Sequence, residues 1–251
     1  MKQSRLIKTL MMKRYMIKLI IRITVFVIVL FGYLFGYLFD RERLFGFMMQ
    51  PIKMGVTPLH LLWLMFMVMM IAHIFPTDKL TMALRKSQKE TYEKTETYSK
   101  EELYAFVQEQ NVRAWLVMLV WLIFNAIFGL LYVQELIDEA DLFMLTVFYF
   151  LCDYICILFF CPFQTFIMKN KCCVNCRIYD WGHFMMFTPM LFIRNFFCWS
   201  LFFTACVVLI RWEIIYAMHP ERFWSGSNKK LQCSNCKDKT CQMKNRLARK
   251  I

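Results

Sequence analysis

The sequence contains little glycine and proline, and it has no motif of the common soluble enzymes. Of its 251 residues, 7 are Gly and 6 are Pro, which is below ordinary usage. It has no glycine-rich phosphate loop, nucleophile elbow, His-Glu-x-x-His or dinucleotide fingerprint. These absences leave hydrolase and ATPase interpretations without support. Internal repeats and low-complexity tracts are absent as well.

Apolar residues, in contrast, are abundant. Hydrophobic residues make up 59% of the chain, with 26 Phe and 20 Met, against roughly 45–50% in an ordinary soluble domain. A soluble protein of this size cannot bury so much apolar surface, and a disordered chain requires low hydrophobicity. The composition therefore predicts an all-α integral membrane protein, folded as a polytopic helical bundle.

Five apolar runs are each long enough for a helix to cross a hydrocarbon core of about 30 Å. They cover residues 23–39, 56–75, 114–133, 142–168 and 184–210. They divide the chain into 1–76 with spans one and two, a hydrophilic segment 77–113, spans three to five in 114–210, and a basic tail 211–251. In 77–113, Ser99 followed by Glu102 matches a capping box. We therefore expect an extramembrane helical hairpin there, which is a solvated spacer or a docking surface for a protein partner.

The net charge of +13 comes from 31 Lys and Arg against 18 Asp and Glu. The basic residues lie beside apolar runs, where anionic lipid headgroups explain them. We expect membrane lipids as partners and no nucleic acid. Loop 134–141 has four acidic residues and no Lys or Arg, which marks it as non-cytoplasmic. The sequence thus predicts a multi-pass protein of the cell membrane with a cytoplasmic N-terminus.

The fifth span creates a conflict in this topology. Five crossings place the tail outside, with 16 basic residues in the inside segments and 13 in the outside ones. A fifth segment that enters and returns would move the tail inside and change the ratio to 26 against 3. Pro189, Arg194 and Asn195 interrupt this segment. Both a plain span and a re-entrant pair remain open.

Eleven cysteines fall mostly into short-spaced groups. The loop 169–183 carries a Cys-Cys-x-x-Cys run, and the tail carries Cys-x-x-Cys-x4-Cys. Soft thiolates at such spacing bind zinc or iron–sulfur clusters. The sequence therefore predicts a thiolate-bound metal centre at one membrane face, for electron transfer or redox sensing. Its expected ligands are Cys172, Cys173, Cys176, Cys233, Cys236 and Cys241.

Thiol chemistry is the alternative use of the same cysteines. Their arrangement is similar in kind to that of quinone-linked disulfide-forming membrane enzymes, which exchange thiols between a membrane-proximal pair and a loop pair. That similarity implies a membrane thiol–disulfide oxidoreductase. Cys152, Cys156, Cys198 and Cys206 lie within apolar spans, and we expect them to be buried small side chains.

Two further features lie within the spans. Asp153 and Arg194 are expected at similar depths in neighbouring spans, so they form a candidate intramembrane ion pair. Such a pair fixes helix packing, or it forms the polar core of an ion or small-molecule transporter with a structural zinc. Gly32 and Gly36 form a Gly-x-x-x-Gly motif in the first span, which predicts self-association.

Overall fold

The computed structural model describes residues 10–39, 58–75, 81–96, 98–170, 172–236, 238, 239, 241 and 244. These residues form helices and connecting turns, with one isolated antiparallel bridge between Lys94 and Asn228. The α-helices are α1 (Leu10–Phe39), α2 (Pro58–Ile74), α3 (Met82–Arg85), α4 (Lys100–Val133), α5 (Glu139–Leu158), α6 (Gly182–Phe187) and α7 (Phe196–Met218).

The long helices are suited to a membrane. Four of them, α1, α4, α5 and α7, are long and apolar enough to cross one, and α2 is a shorter apolar helix of 17 residues. Their outward side chains are apolar: Ile28, Trp115 and Ile210 are each more than half exposed. In a bilayer these side chains contact lipid. The predicted all-α membrane bundle is confirmed.

Polar side chains start three of the helices at defined positions. The Ser99 hydroxyl accepts a hydrogen bond from the Glu102 amide at 3.1 Å, so Ser99 caps α4 as expected. Asp138 and Asp141 form a capping box at the start of α5. The Asn195 side chain accepts from the Phe197 amide at 2.9 Å and caps α7.

The fourth and fifth apolar runs are each interrupted, which corrects the predicted spans. Helix α5 ends at Leu158, and Pro162 begins a separate π-helical turn, Phe163–Ile167. The run 184–210 contains two elements. A broken segment, residues 179–192, consists of α6 between two 3₁₀ turns, Tyr179–Trp181 and Thr188–Phe192. Extended backbone at Ile193 and Asn195 then separates it from α7.

The broken segment runs from one end of the bundle to the other. At its start, the Trp181 indole donates to Glu213 near the end of α7 at 2.8 Å. At its end, the Phe192 ring lies against Gly129, where an added methyl group would overlap it. Six α-helical and eight 3₁₀ residues rise about 25 Å together. Helix α7 then runs back, and its Trp212 donates to the carbonyl of Arg177 at 2.7 Å.

This geometry resolves the conflict over the tail. Described parts of 81–96, 159–178 and 219–236 meet at one end of the bundle, which we call the basic face: Lys86 bonds the carbonyl of Val174, and Arg222 bonds that of Ser87. Helix α1 also starts there, since the Tyr15 and Tyr179 hydroxyls are 2.7 Å apart. The tail therefore returns to the face from which α1 starts.

The segment before α4 differs from the predicted hairpin. Its first arm is the single turn α3, followed by a 3₁₀ turn, Lys89–Thr91, and extended chain. The extended part pairs with the tail: the Thr95 amide donates to the Ser227 carbonyl at 3.0 Å, and the Lys229 amide donates to the Glu93 carbonyl at 2.8 Å. Because the tail satisfies these backbone groups, no second helix is needed to do so.

Candidate functional site

Five cysteines line one cavity of about 430 Å³ near the basic face, which we call the cysteine cavity. It lies between α4, α5, the π turn and the start of the broken segment. Its wall is mostly apolar, and its aromatic side chains include Trp121, Phe124, Phe148, Tyr149 and Phe160. The lining cysteines are Cys152, Cys156, Cys161, Cys173 and Cys176.

Two of these thiols act on each other. The Cys156 side chain lowers the pKa of the Cys161 thiol, and its effect on that thiol is the largest. The Gln164 amide, which donates to the Cys161 sulfur at 3.4 Å, lowers the same pKa further. The end of α5 and the Pro162 turn bring Cys161 back towards Cys156. Cys156, expected to be a buried small side chain, is half-buried and lines the cavity together with Cys161.

The Cys-Cys-x-x-Cys loop points two of its thiols inwards. Cys173 bonds the Gln164 side chain at 3.4 Å, and Cys176 is 5% exposed. Burial raises the pKa of both thiols, that of Cys176 to about 12. The ammonium of Lys86 fixes the loop by donating to the carbonyls of Val174 and Cys176 at 2.8 and 2.6 Å.

The remaining loop thiol lies with the tail cysteines. Cys172 and Cys236 pack against a small cluster that contains Val174 and Leu231. The cysteines that act electrostatically on Cys241 are Cys172, Cys236, Cys233 and Cys173. The six predicted ligands thus share one face, but Cys173 and Cys176 turn into the cavity. Cys173 lines the cavity, whereas its neighbour Cys172 packs against the cluster outside it.

The predicted six-thiol metal centre is therefore not assembled. Among the described residues, which include all six cysteines, no group of three His, Cys, Asp or Glu side chains is placed to hold a metal ion. The division of the loop explains this, because at most four of the thiols lie outside the cavity. Four thiolates are nevertheless a full tetrahedral set for zinc.

Asp153 pairs with Arg22 and not with Arg194, which corrects the predicted intramembrane pair. The Arg22 guanidinium lies 2.8 Å from the Asp153 carboxylate. Arg194 is exposed at the opposite face, next to Asn195, which lines a cavity together with Glu139. Glu139 is about 21 Å from Asp153 along α5. The transporter interpretation based on Asp153 and Arg194 loses its geometric support.

Sequence reasoning also missed Arg22 and Lys86 as buried charges. Arg22 is 7% exposed and Lys86 is fully buried. Arg22 looks like the last residue of a basic N-terminal stretch, although α1 continues through it from Leu10. Its spacing of four residues from Lys18 and eight from Arg14 was the available signal, because it places all three on one face of a helix.

Comparisons with protein-family models, curated proteins and solved structures give no match for this chain.

The interaction between Cys156 and Cys161 predicts a pH profile for alkylation. An ordinary thiol has a pKa of about 8.5, and only the thiolate reacts. The rate of Cys161 modification by iodoacetamide, followed by mass spectrometry in detergent, should have its midpoint below that pH. Cys156→Ala should move the midpoint upwards, whereas Cys206→Ala should not. A wild-type midpoint at pH 9 or above would refute the interaction of the two thiols.

Proposed function

We propose that this protein is a membrane thiol–disulfide oxidoreductase that transfers electrons from thiols at the basic face to a lipid-soluble quinone. The observation that carries the proposal is the interacting thiol pair Cys156–Cys161 on the wall of the cysteine cavity. Two neighbouring thiols are the reactants of disulfide formation, and the thiolate of one is the attacking species.

The cavity suits a quinone ring. Its aromatic lining matches a planar apolar ligand, and the side chain of Gln164 supplies a polar group. Phe148 and Phe160, on the wall, are 46% and 50% exposed. The cavity therefore opens on the outer surface of the bundle, where a ligand dissolved in the bilayer reaches it.

The oxidation is balanced. Cys156 and Cys161 lose two S–H bonds and form one S–S bond, while the quinone accepts two electrons and two protons and becomes a quinol. Thiol exchange with Cys173 and Cys176 returns the pair to dithiol, and a disulfide then links the latter two. A dithiol of the cytoplasm reduces that disulfide in turn and is itself oxidised.

The thiols form a series between the two ends of this reaction. The exposed Cys233 lies among the neighbours of Cys241, and Cys173 is another of them. Cys172 and Cys161 both act electrostatically on Cys173. Each thiol in the series therefore has a neighbour closer to the cavity.

The charge distribution supports a cytoplasmic basic face in the cell membrane. The segments assigned to this face carry 26 Lys and Arg; they are 1–21, 77–113, 169–183 and 211–251. The segments assigned to the other face carry 3 in 40–55 and none in 134–141. Cytosolic thiols are kept reduced, and disulfides formed there are transient and catalytic or redox-sensing. Electrons accordingly flow from the cytoplasm to the quinone.

The test is reduction of a short-chain ubiquinone by the pre-reduced protein in detergent without oxygen, followed by the loss of quinone absorbance. Wild type should convert about one equivalent of quinone rapidly. Cys156→Ser and Cys161→Ser should each slow it at least about 100-fold, since either loses one of the two sulfurs. Cys206→Ser, the control in α7, should react as wild type. Equal rates in all four proteins would contradict the proposal.

The four outer thiols support a second candidate, the thiolate-bound metal centre. Cys172, Cys233, Cys236 and Cys241 act electrostatically on one another, and four thiolates are the number that zinc or an iron–sulfur cluster requires. The test is metal and sulfide analysis of protein purified without oxygen. The double variant Cys233→Ser, Cys236→Ser should lose the metal, and Cys156→Ser should keep it. Metal-free wild type would exclude this candidate.

A further inference from the structure

A second cavity, of about 230 Å³, lies at the basic face between α1, α2, α5 and the start of the broken segment. We call it the basic cavity. Its α1 wall carries Arg14, Lys18 and Arg22, which share one helix face because they are four residues apart. Arg14 and Lys18 are exposed, whereas Arg22 is buried. The positive charge thus begins at the surface and continues inwards.

The inner wall of the basic cavity contains two histidines. His73 and Asp180 are hydrogen-bonded at 2.7 Å, and the ring of His183 lies 4.5 Å from that of His73. His183 is 8% exposed, and its Nδ1 has no hydrogen-bond partner among the described residues. A buried polar atom without a partner is costly. A ligand oxygen or hydroxyl in the cavity would satisfy it.

The carboxylates of the cavity do not neutralise Lys18. Asp153 pairs with Arg22, and Asp180 pairs with His73. Lys18 has no hydrogen-bond or ion-pair partner within the part of the chain that the structure describes. Lys18 therefore offers positive charge to an anion.

An apolar cavity of about 180 Å³ continues along the same face of α1. Val25 and Val29 line it from α1, and Trp63 and Phe66 line it from α2. Arg22 lies at the boundary, because its guanidinium is 4.0 Å from the ring centre of Phe150 in the apolar wall. Helix α1 packs on α5 and not closely on α2, which leaves a cleft between α1 and α2.

We propose that this cleft binds one anionic phospholipid. Its phosphate lies at Lys18 and Arg14, its headgroup extends towards His183, and an acyl chain follows Val25 and Val29. The order of charge and apolar surface along α1 matches that of a lipid in a bilayer, from the headgroup at the membrane face to the chain within. A free phosphate ester would use only the basic half of the cleft.

The test is lipid retention by the purified full chain, measured by native mass spectrometry during titration with phosphatidylglycerol or phosphatidylcholine. Two variants each remove one half of the site. Lys18→Gln removes the positive charge, and Val29→Trp fills the apolar space. Each has a matched control on another side of α1, Lys13→Gln and Val27→Trp. Lys18→Arg keeps the charge and should keep binding.

We expect one phosphatidylglycerol to bind in preference to phosphatidylcholine. Lys18→Gln and Val29→Trp should each weaken it at least about tenfold, while the controls stay within about twofold of wild type. Equal binding of the two lipids, or equal loss in Lys18→Gln and Lys13→Gln, would overturn the proposal. Loss in Lys18→Gln but not in Val29→Trp, with displacement of lipid by millimolar inorganic phosphate, would overturn it in favour of a soluble phosphate site.

Discussion

Replacing Asp153 by alanine should destabilise the protein by about 3 kcal/mol, because the change leaves the Arg22 charge buried without its carboxylate. Arg22 is 7% exposed and Asp153 is only partly exposed, so solvent cannot replace the lost partner fully. The rings of Phe150 and Tyr154, 4.0 and 3.9 Å from the guanidinium, hold Arg22 in place. Unfolding in mixed detergent micelles, followed by tryptophan fluorescence, measures the change.

Arg194→Gln is the matched control, because Arg194 is exposed at the opposite face. It should cost less than about 0.5 kcal/mol. The double variant Arg22→Met, Asp153→Ala should be more stable than Asp153→Ala, since it removes the unpaired charge. If Arg194→Gln cost as much as Asp153→Ala, Asp153 would pair with Arg194 and the observed ion pair would be wrong.

Lys86→Met should destabilise the protein by about 4 kcal/mol above pH 10, where it leaves the carbonyls of Val174 and Cys176 without a donor. Each unsatisfied buried carbonyl costs about 1–3 kcal/mol. The cost should be smaller at pH 7, because burial lowers the pKa of Lys86 to about 8 from 10.5. Below pH 8 the native lysine is charged, and its desolvation offsets part of what its hydrogen bonds contribute.

The pH dependence has a definite sign. Between pH 8 and 10.5 the unfolded lysine holds a proton that the folded one has lost, so folding of wild type becomes more favourable relative to Lys86→Met as pH rises. This difference in the pKa of Lys86 between the unfolded and folded states corresponds to about 3 kcal/mol of unfolding free energy across that window. Lys89→Met, at an exposed lysine of the same segment, should be close to neutral at every pH. If the difference in unfolding free energy between wild type and Lys86→Met fell as pH rose, the lowered pKa of Lys86 would be contradicted.

The sequence predicted the helices well where nothing interrupts them. Ser99 caps α4, and the run 114–133 lies wholly within that helix, because apolar length and capping are local properties. The predicted spans 142–168 and 184–210 were wrong. Pro162, Pro189 and Asn195 break the backbone there without lowering the hydropathy. The number of passes through the bundle depends on those breaks.

The site was predicted in part for the same reason. Spacing identified the loop and tail cysteines, but it could not show that Cys173 lines the cavity while Cys172 packs outside it. The expected pair of Asp153 and Arg194 assumed uninterrupted helices on both sides of the loop. Tertiary contact brings Arg22 to Asp153 from 131 positions away, and no local pattern encodes that distance. Self-association through Gly32 and Gly36 stays a prediction.

Mapping the disulfide that quinone forms would show directly whether thiols meet quinone in the cysteine cavity. The reduced protein would receive one equivalent of short-chain ubiquinone without oxygen, be quenched in acid with an alkylating reagent, and be digested for mass spectrometry without reduction. We predict one new disulfide in the cavity, between Cys156 and Cys161 or, after thiol exchange, between Cys173 and Cys176, with Cys198 and Cys206 still alkylated as thiols. Unchanged thiols at 156, 161, 173 and 176, or disulfides confined to the tail cysteines, would contradict the claim that the cysteine cavity is where thiols meet quinone.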